Sequence, residues 1–266
     1  TMSLIGRELK QKEINYLKGF GNGKNHKGAC YWLMSEYEDG LDELTEAYNI
    51  AIQINDKELE AKALNNFGRI YRSLGEMANS LKNFEAALEI NENSGNELLQ
   101  TINLTNISNL YYDLGDYDTA LDYSLKCLPI FEKYNSTTRL IDIYNSLGDI
   151  YFKKQHYPEA LKYFVQNQQL SDPDSPNRAL ADSGVGKVLF KMNRIEEAKV
   201  NLLNSYELAN KLDNYESEIA ASFYYGKLEM ALGNYRLALD HLENAYTLAY
   251  DAMRKHDLMN IHESIA

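Results

Sequence analysis

Small residues recur along this chain with an almost fixed step: Gly28, Gly68, Ser108, Gly148, Gly186 and Gly226 follow one another at 40, 40, 40, 38 and 40 residues. A comb of that period marks a helical array, in which each repeat is one supersecondary unit that buries its core against its neighbours. Such an array leaves long side-chain faces open. The comb therefore points to a binding scaffold before any residue is considered for chemistry.

With the comb residue at position 8, repeats start near residues 21, 61, 101, 141, 179 and 219, and further columns fall into line. Position 11 reads Tyr31, Tyr71, Tyr111, Tyr151, Leu189, Glu229, and position 17 reads Tyr37, Met77, Tyr117, Tyr157, Ile195, Tyr235. Position 20 is small throughout (Gly40, Ser80, Ala120, Ala160, Ala198, Ala238), and position 21 is leucine except at Lys199. A small residue at position 8 lets a first helix, A, approach position 20 of a second helix, B, and the two aromatic columns are expected to fill the wedge beside that contact. Gly75, Gly115 and Gly233 at position 15 suit a left-handed turn between the helices, with Asp116 and Asn234 placed to cap helix B.

These columns, most closely Leu64-Asn-Asn-Phe-Gly-Arg-Ile-Tyr71 followed by Gly75, Leu81, Phe84 and Ala87, resemble the tetratricopeptide repeat, and the resemblance covers nearly the whole chain. It implies an all-α, right-handed α-solenoid of about six helix-turn-helix repeats plus terminal helices. The step resembles the long repeats of kinesin light chains, spindle-orientation adaptors and bacterial peptide-sensing regulators, and the surplus is expected to lengthen helix B and the following connection. Residues 1–20 are expected to form a preceding capping helix, 21–258 the six repeats, and 259–266 the start of a seventh repeat or a capping helix. The one short step holds Ser171-Asp-Pro-Asp-Ser-Pro-Asn177, a turn-rich break across which the comb resumes.

Composition limits the function. The net charge of -12 repels a phosphate backbone, so nucleic acid is not an expected partner. No stretch is long and apolar enough for a membrane span and no signal-peptide core is present, so a cytoplasmic location is expected. Cys30 and Cys127 match no metal spacing and read as small buried thiols. Pro129, Pro173 and Pro176 are expected at or beyond helix ends. His26, His156, His241, His256 and His262 lack the spacing of a helical metal pair. Gly19-Phe-Gly-Asn-Gly-Lys24 lacks the upstream glycine and the Ser/Thr of a phosphate loop and reads as the opening of the first helix A. No catalytic constellation, metal site or cofactor is expected, and the chain is read as a non-enzyme.

The informative positions are 2, 5, 6, 9, 12 and 13 of helix A, which in the family line the concave groove. They carry Lys62, Asn65, Asn66, Arg69 and Arg72 in repeat two; Asn106, Asn109, Tyr112 and Asp113 in repeat three; Asn145, Asp149, Phe152 and Lys153 in repeat four; and Lys187, Phe190, Lys191 and Lys227 beyond. An asparagine amide both donates to a peptide carbonyl and accepts from a peptide N–H, so a row of them reads extended backbone without choosing a sequence. The resemblance implies such a ladder at position 6, met by Asn66 and Asn106 and departed from by Ser146, Gly184 and Tyr224; a solvated helix face is the bland alternative. Flanking cations point to a protein or peptide partner that is acidic or ends in a carboxylate. The leading expectation is a protein-interaction scaffold; the rival is a sensory repeat domain of a larger bacterial signalling protein, such as a cyclase, kinase or transcriptional regulator. Leu258, Ile261 and Ile265 mark an apolar C-terminal edge that offers a surface for a homodimer.

Overall fold

The computed structural model describes residues 10–251, and those residues form twelve helices and no strand. The first three repeats are α1 (Gln11–Leu33) with α2 (Tyr37–Ile54), α3 (Lys57–Ser73) with α4 (Met77–Asn93), and α5 (Glu97–Asp113) with α6 (Tyr117–Lys133). The last three are α7 (Thr137–Lys153) with α8 (Tyr157–Leu170), α9 (Pro176–Lys191) with α10 (Ile195–Lys211), and α11 (Tyr215–Ala231) with α12 (Tyr235–Asp251). The chain divides into two compact units, Thr1–Ile130 and Phe131–Ala266, and the division falls inside α6.

Each unit is built by one rule. In the first, α1 packs on α2 and α3 on α4; α2 and α4 then touch the next helix A, and α1, α3 and α5 touch in sequence. In the second, α7 pairs with α8, α9 with α10 and α11 with α12, and α9 contacts both α7 and α11. The fold class is an all-α solenoid of helix hairpins.

The hairpin turn is the same in every repeat because position 15 always takes the left-handed conformation. Gly75, Gly115 and Gly233 do so at φ of 79, 77 and 81°, as the glycines suggested, but Ser35, Gln155 and Asn193 adopt it too, at 61, 61 and 59°. The geometry is thus imposed by hairpin packing and only made easier by glycine. Caps complete the helix starts: Asp56, Asn96, Ser175 and Asn214 accept from the backbone N–H of Leu59, Leu99, Arg178 and Ser217. Asp116 caps α6 through the Thr119 N–H at 3.1 Å. The Asn234 side chain donates back to buried Glu229 at 2.6 Å.

At the comb, helix A meets helix B closely enough that an added Cβ would collide. At Gly68 it would lie 2.5 Å from the Phe84 ring, at Gly148 2.7 Å from Phe164, and at Gly28, Gly186 and Gly226 2.6, 2.6 and 2.8 Å from Leu44, Leu202 and Leu242. All five partners stand at position 24, one turn beyond position 20 on the same face of helix B. Where the comb residue is Ser108, position 24 is Ser124: the larger comb residue is matched by a smaller partner, and the two hydroxyls are 2.7 Å apart. Position 24, rather than the two aromatic columns, fills the wedge. Position-11 tyrosines instead stack one residue away, Tyr111 on Tyr123 and Tyr151 on Tyr163, while position-17 Tyr117 and Tyr157 pack on Tyr112 and Phe152.

Several expectations change. Residues 11–20 are not a separate helix but the first turns of α1, which runs unbroken to Leu33 and holds the Gly19–Lys24 segment in its middle. In repeats two and three helices A and B have the same length, 17 residues each in α3, α4, α5 and α6, so helix B does not take up the long step alone there. Pro129 lies within α6 instead of at its end, leaving the Leu125 carbonyl without its helical donor. The short step is as expected: α8 has 14 residues, and Ser175 caps α9 with Pro176 at its first turn. Cys127 is buried, and burial pushes its thiol pKa up to about 11, but Cys30 is exposed. The expected features at residues 1–9 and 252–266, including the seventh repeat and the Leu258, Ile261, Ile265 edge, lie outside the described residues.

Candidate interaction surface

In the first unit the amides of successive A helices face one another. Position 5 of one repeat meets position 6 of the next: Asn66 donates to Asn25 at 3.0 Å and Asn106 donates to Asn65 at 2.8 Å. Asn103 also donates to Asn65, at 3.2 Å, and accepts from Asn91 of α4 at 2.7 Å. Amides on α1, α3 and α5 thus lie side by side, and they bind each other and bridge neighbouring repeats; the row was expected over repeats two to four, whereas Asn145 of α7 turns to Asp149. Spare capacity stays at defined atoms. Asn106 keeps one N–H and its oxygen, and Asn109, one turn along α5, makes no side-chain hydrogen bond.

The cations of this unit differ in their freedom. Lys62 pairs with Glu58 at 2.6 Å and Arg72 with Asp113 at 2.6 Å, so both charges are answered within the chain. Arg69 has no carboxylate partner. Its guanidinium lies 3.7 Å above the ring of Trp32, the one tryptophan in the sequence, and reaches Asn66 at 3.4 Å. Trp32 is itself fixed by donating to Ser73 at 2.9 Å. Burial, and then the neighbouring Arg72, push the Arg69 pKa below the usual arginine value. The result is a cation held in one orientation with most of its five N–H donors unused. Tyr112 packs on Tyr117 beside this face.

The second unit arranges its expected residues differently. Lys187 pairs with Asp149 and lies within 5.1 Å of the Phe152 ring, 4.8 Å of Phe164 and 5.8 Å of Tyr224. Burial acts to lower the Lys187 pKa, but the Asp149 carboxylate, with Tyr224, outweighs it and the value is raised. Asn145 turns to Asp149 at 3.4 Å. Phe152, Phe190 and Tyr224 pack against the core around Phe164, Val188 and Leu228, so they are packing residues here. Position 6 departs from the ladder for a visible reason: a Cβ at Gly184 would sit 2.4 Å from Phe164. Lys227 lies 5.0 Å from Phe223, while Lys153 and Lys191 project into solvent from helix ends.

Sequence reasoning missed Asn25, Trp32, Asn91 and Asn103. The first two were within reach, since they stand at positions 5 and 12 of repeat one, which the groove rule already names. Asn91 and Asn103 occupy positions outside that rule. Among the described residues no group of His, Cys, Asp or Glu is placed to hold a metal, and no helix is long and apolar enough to cross a membrane.

A family model for the tetratricopeptide repeat matches residues 21–93 and 98–166, more than half of the chain, and the chain belongs to that family. No curated protein sequence matches it. Among solved structures, aspartyl phosphate phosphatase F from Bacillus subtilis is similar over 90% of this chain and 61% of its own, with a TM-score of 0.70 at 16% identity. The chain thus spans less than two thirds of that protein. NprR in complex with its cognate peptide NprX is similar over 97% of this chain and 74% of its own, with a TM-score of 0.71 at 17% identity. A Rap protein complexed with competence and sporulation factor is similar over 95% and 79%, with a TM-score of 0.66 at 13% identity. At these identities the likeness is one of fold.

Proposed function

We propose that this chain is a non-enzymatic protein-interaction module that binds a peptide or partner segment along the helix-A face of its first unit. The observation that carries the reading is Arg69, a preoriented guanidinium without a carboxylate, set beside the linked amides of three successive A helices. Asn106 and Asn109 offer both donors and acceptors to an extended backbone, while Arg69 takes a carboxylate from an acidic residue or a chain end. Because Trp32 and Ser73 fix Arg69 and the bridge to Asn65 fixes Asn106, little ordering of these two groups is left to oppose binding. NprR, whose structure holds its cognate peptide, is a fold relative that gives the reading precedent. Within the second unit, taken by itself, Lys153, Lys191 and Lys227 give the helix-A positions a cationic character of their own, and Lys187 is paired with Asp149.

A second reading places the chain as a sensory domain within a longer signalling protein; it is favoured by phosphatase F and NprR extending beyond the part matched here. Both readings share the binding step. Peptides selected from a random display library and titrated against the parent and Arg69→Ala test it. The expected result is enrichment of Asp, Glu or a free carboxylate and at least about tenfold weaker binding by the variant. Selected peptides indifferent to Arg69→Ala would place binding elsewhere.

A further inference from the structure

The amide network of the first unit opens into a cavity of about 230 Å³ whose lining includes Asn25, Asn65, Asn66, Asn91 and Asn103. Three of these are nearly sealed from solvent, Asn25 at 4%, Asn91 at 5% and Asn103 at 1% exposure. The hydrogen bonds within the network have a direction. Asn91 donates to Asn103, and Asn103 and Asn106 both donate to the Asn65 oxygen. Asn66 donates to the Asn25 oxygen. Every chain of donors therefore ends on an oxygen of Asn25 or Asn65, and the amide nitrogens of those two residues donate to no group in the protein. Two NH2 groups with unused donors thus border one cavity.

The rest of the wall sets the chemistry of an occupant. Ala61, Leu99 and Ile102 supply apolar surface, the exposed His26 adds an imidazole, and the formal charges at the wall, Lys62 and Glu58, cancel each other at 2.6 Å. A charged group entering would lose hydration without finding a free carboxylate or ammonium, and a purely apolar one would displace water from the two amide donors and leave them unmet. A carboxamide meets both demands: its oxygen accepts from Asn25 and Asn65, its NH2 can donate to the Glu58 carboxylate, and its methylenes lie on the apolar wall. It continues an arrangement in which amides already bind amides. We propose that this cavity is a specificity pocket for one glutamine or asparagine side chain of the segment bound on the helix-A face, with Asn25 as its principal donor. The inference rests on the proposed peptide-binding function and adds to it a side-chain preference separate from the acidic contact at Arg69.

The test uses a library-selected peptide whose binding depends on Arg69, synthesised with Gln, Glu or Met at each position in turn and titrated by fluorescence anisotropy. At one position Gln is expected to bind about tenfold tighter than Glu or Met. With Asn25→Leu that preference over Met should vanish, while dependence on Arg69 persists. Asn25→Ser, smaller and without the amide donors, serves as the second variant if the leucine disturbs folding by circular dichroism. Tightest binding of Glu would reassign the pocket to a carboxylate, and tightest binding of Met would make it an apolar hole; either overturns the inference. Arg69-dependent peptides with no preference at any position overturn it alone. Failure to select any Arg69-dependent peptide overturns the function beneath it as well.

Discussion

Two glycines of α1 separate the packing argument from intrinsic helix preference. Gly23 and Gly28 both lie inside this 23-residue helix, so exchange to alanine brings each the same gain in propensity, about 1 kcal/mol. Their surroundings differ. Around a Cβ at Gly23 nothing lies within 4 Å, whereas at Gly28 it would stand 2.6 Å from Leu44 Cγ, 2.8 Å from Leu44 Cδ2 and 3.1 Å from the Gly40 carbonyl oxygen. Leu44 is fully buried, and the atom struck is its branch point and not a flexible tip. Overpacking of this kind costs about 1–3 kcal/mol, so Gly28→Ala should be neutral to about 2 kcal/mol destabilising while Gly23→Ala stabilises. Urea titration, with hydrogen exchange on α1 and α2 to localise the effect, reads the difference directly. If Gly28→Ala stabilises as much as Gly23→Ala, the close approach at the comb is wrong.

Other perturbations probe single contacts. Ser108 donates to the Ala120 carbonyl at 2.8 Å, so its bond with Ser124 is donated by Ser124; Ser108→Ala strands that hydroxyl and should cost about 1–3 kcal/mol. In a double-mutant cycle with Ser124→Ala the losses should fall short of additivity, and strict additivity would deny the pairing. Lys187→Met leaves Asp149 without its cation and should cost about 1.5–3 kcal/mol in thermal or urea unfolding, against almost no effect of Lys153→Met at the solvent-facing end of α7. Burial lowers the His241 pKa, against the opposing pull of Glu229 and Asp240, with the ring packed on Tyr206 and Tyr225. The unfolded chain then binds the proton more readily than the folded one. Stability should fall as pH drops from about 6.5 towards the lower folded value, and His241→Phe should flatten that part of the stability profile. A profile unchanged by the substitution would remove His241 as its source.

The fold was legible because its constraint is periodic: one small residue per repeat fixes the helix crossing, and six copies agree. What fills the crossing was harder to see, since position 24 alternates among Leu, Phe and Ser and makes sense only as the partner of Gly68 or Ser108. Left-handed turns at Ser35, Gln155 and Asn193 carry no residue signature, because the packing of the hairpin imposes them. At the candidate surface, residue type located the amides and cations but could not reveal their pairings. Whether Arg69 or Arg72 is free depends on Asp113, 41 residues from Arg72 in the chain. The burial of Lys187 among three rings likewise depends on Phe164 filling the space that Gly184 leaves.

The most direct test of the central claim is to map where a bound peptide lies. A library-selected peptide carrying a photoreactive benzoylphenylalanine, irradiated in complex with the chain and followed by mass spectrometry, should place its adducts on α3 and α5, near Arg69, Asn106 and Asn109. Adducts concentrated on α2 and α4, with α3 and α5 unmodified, would contradict the account.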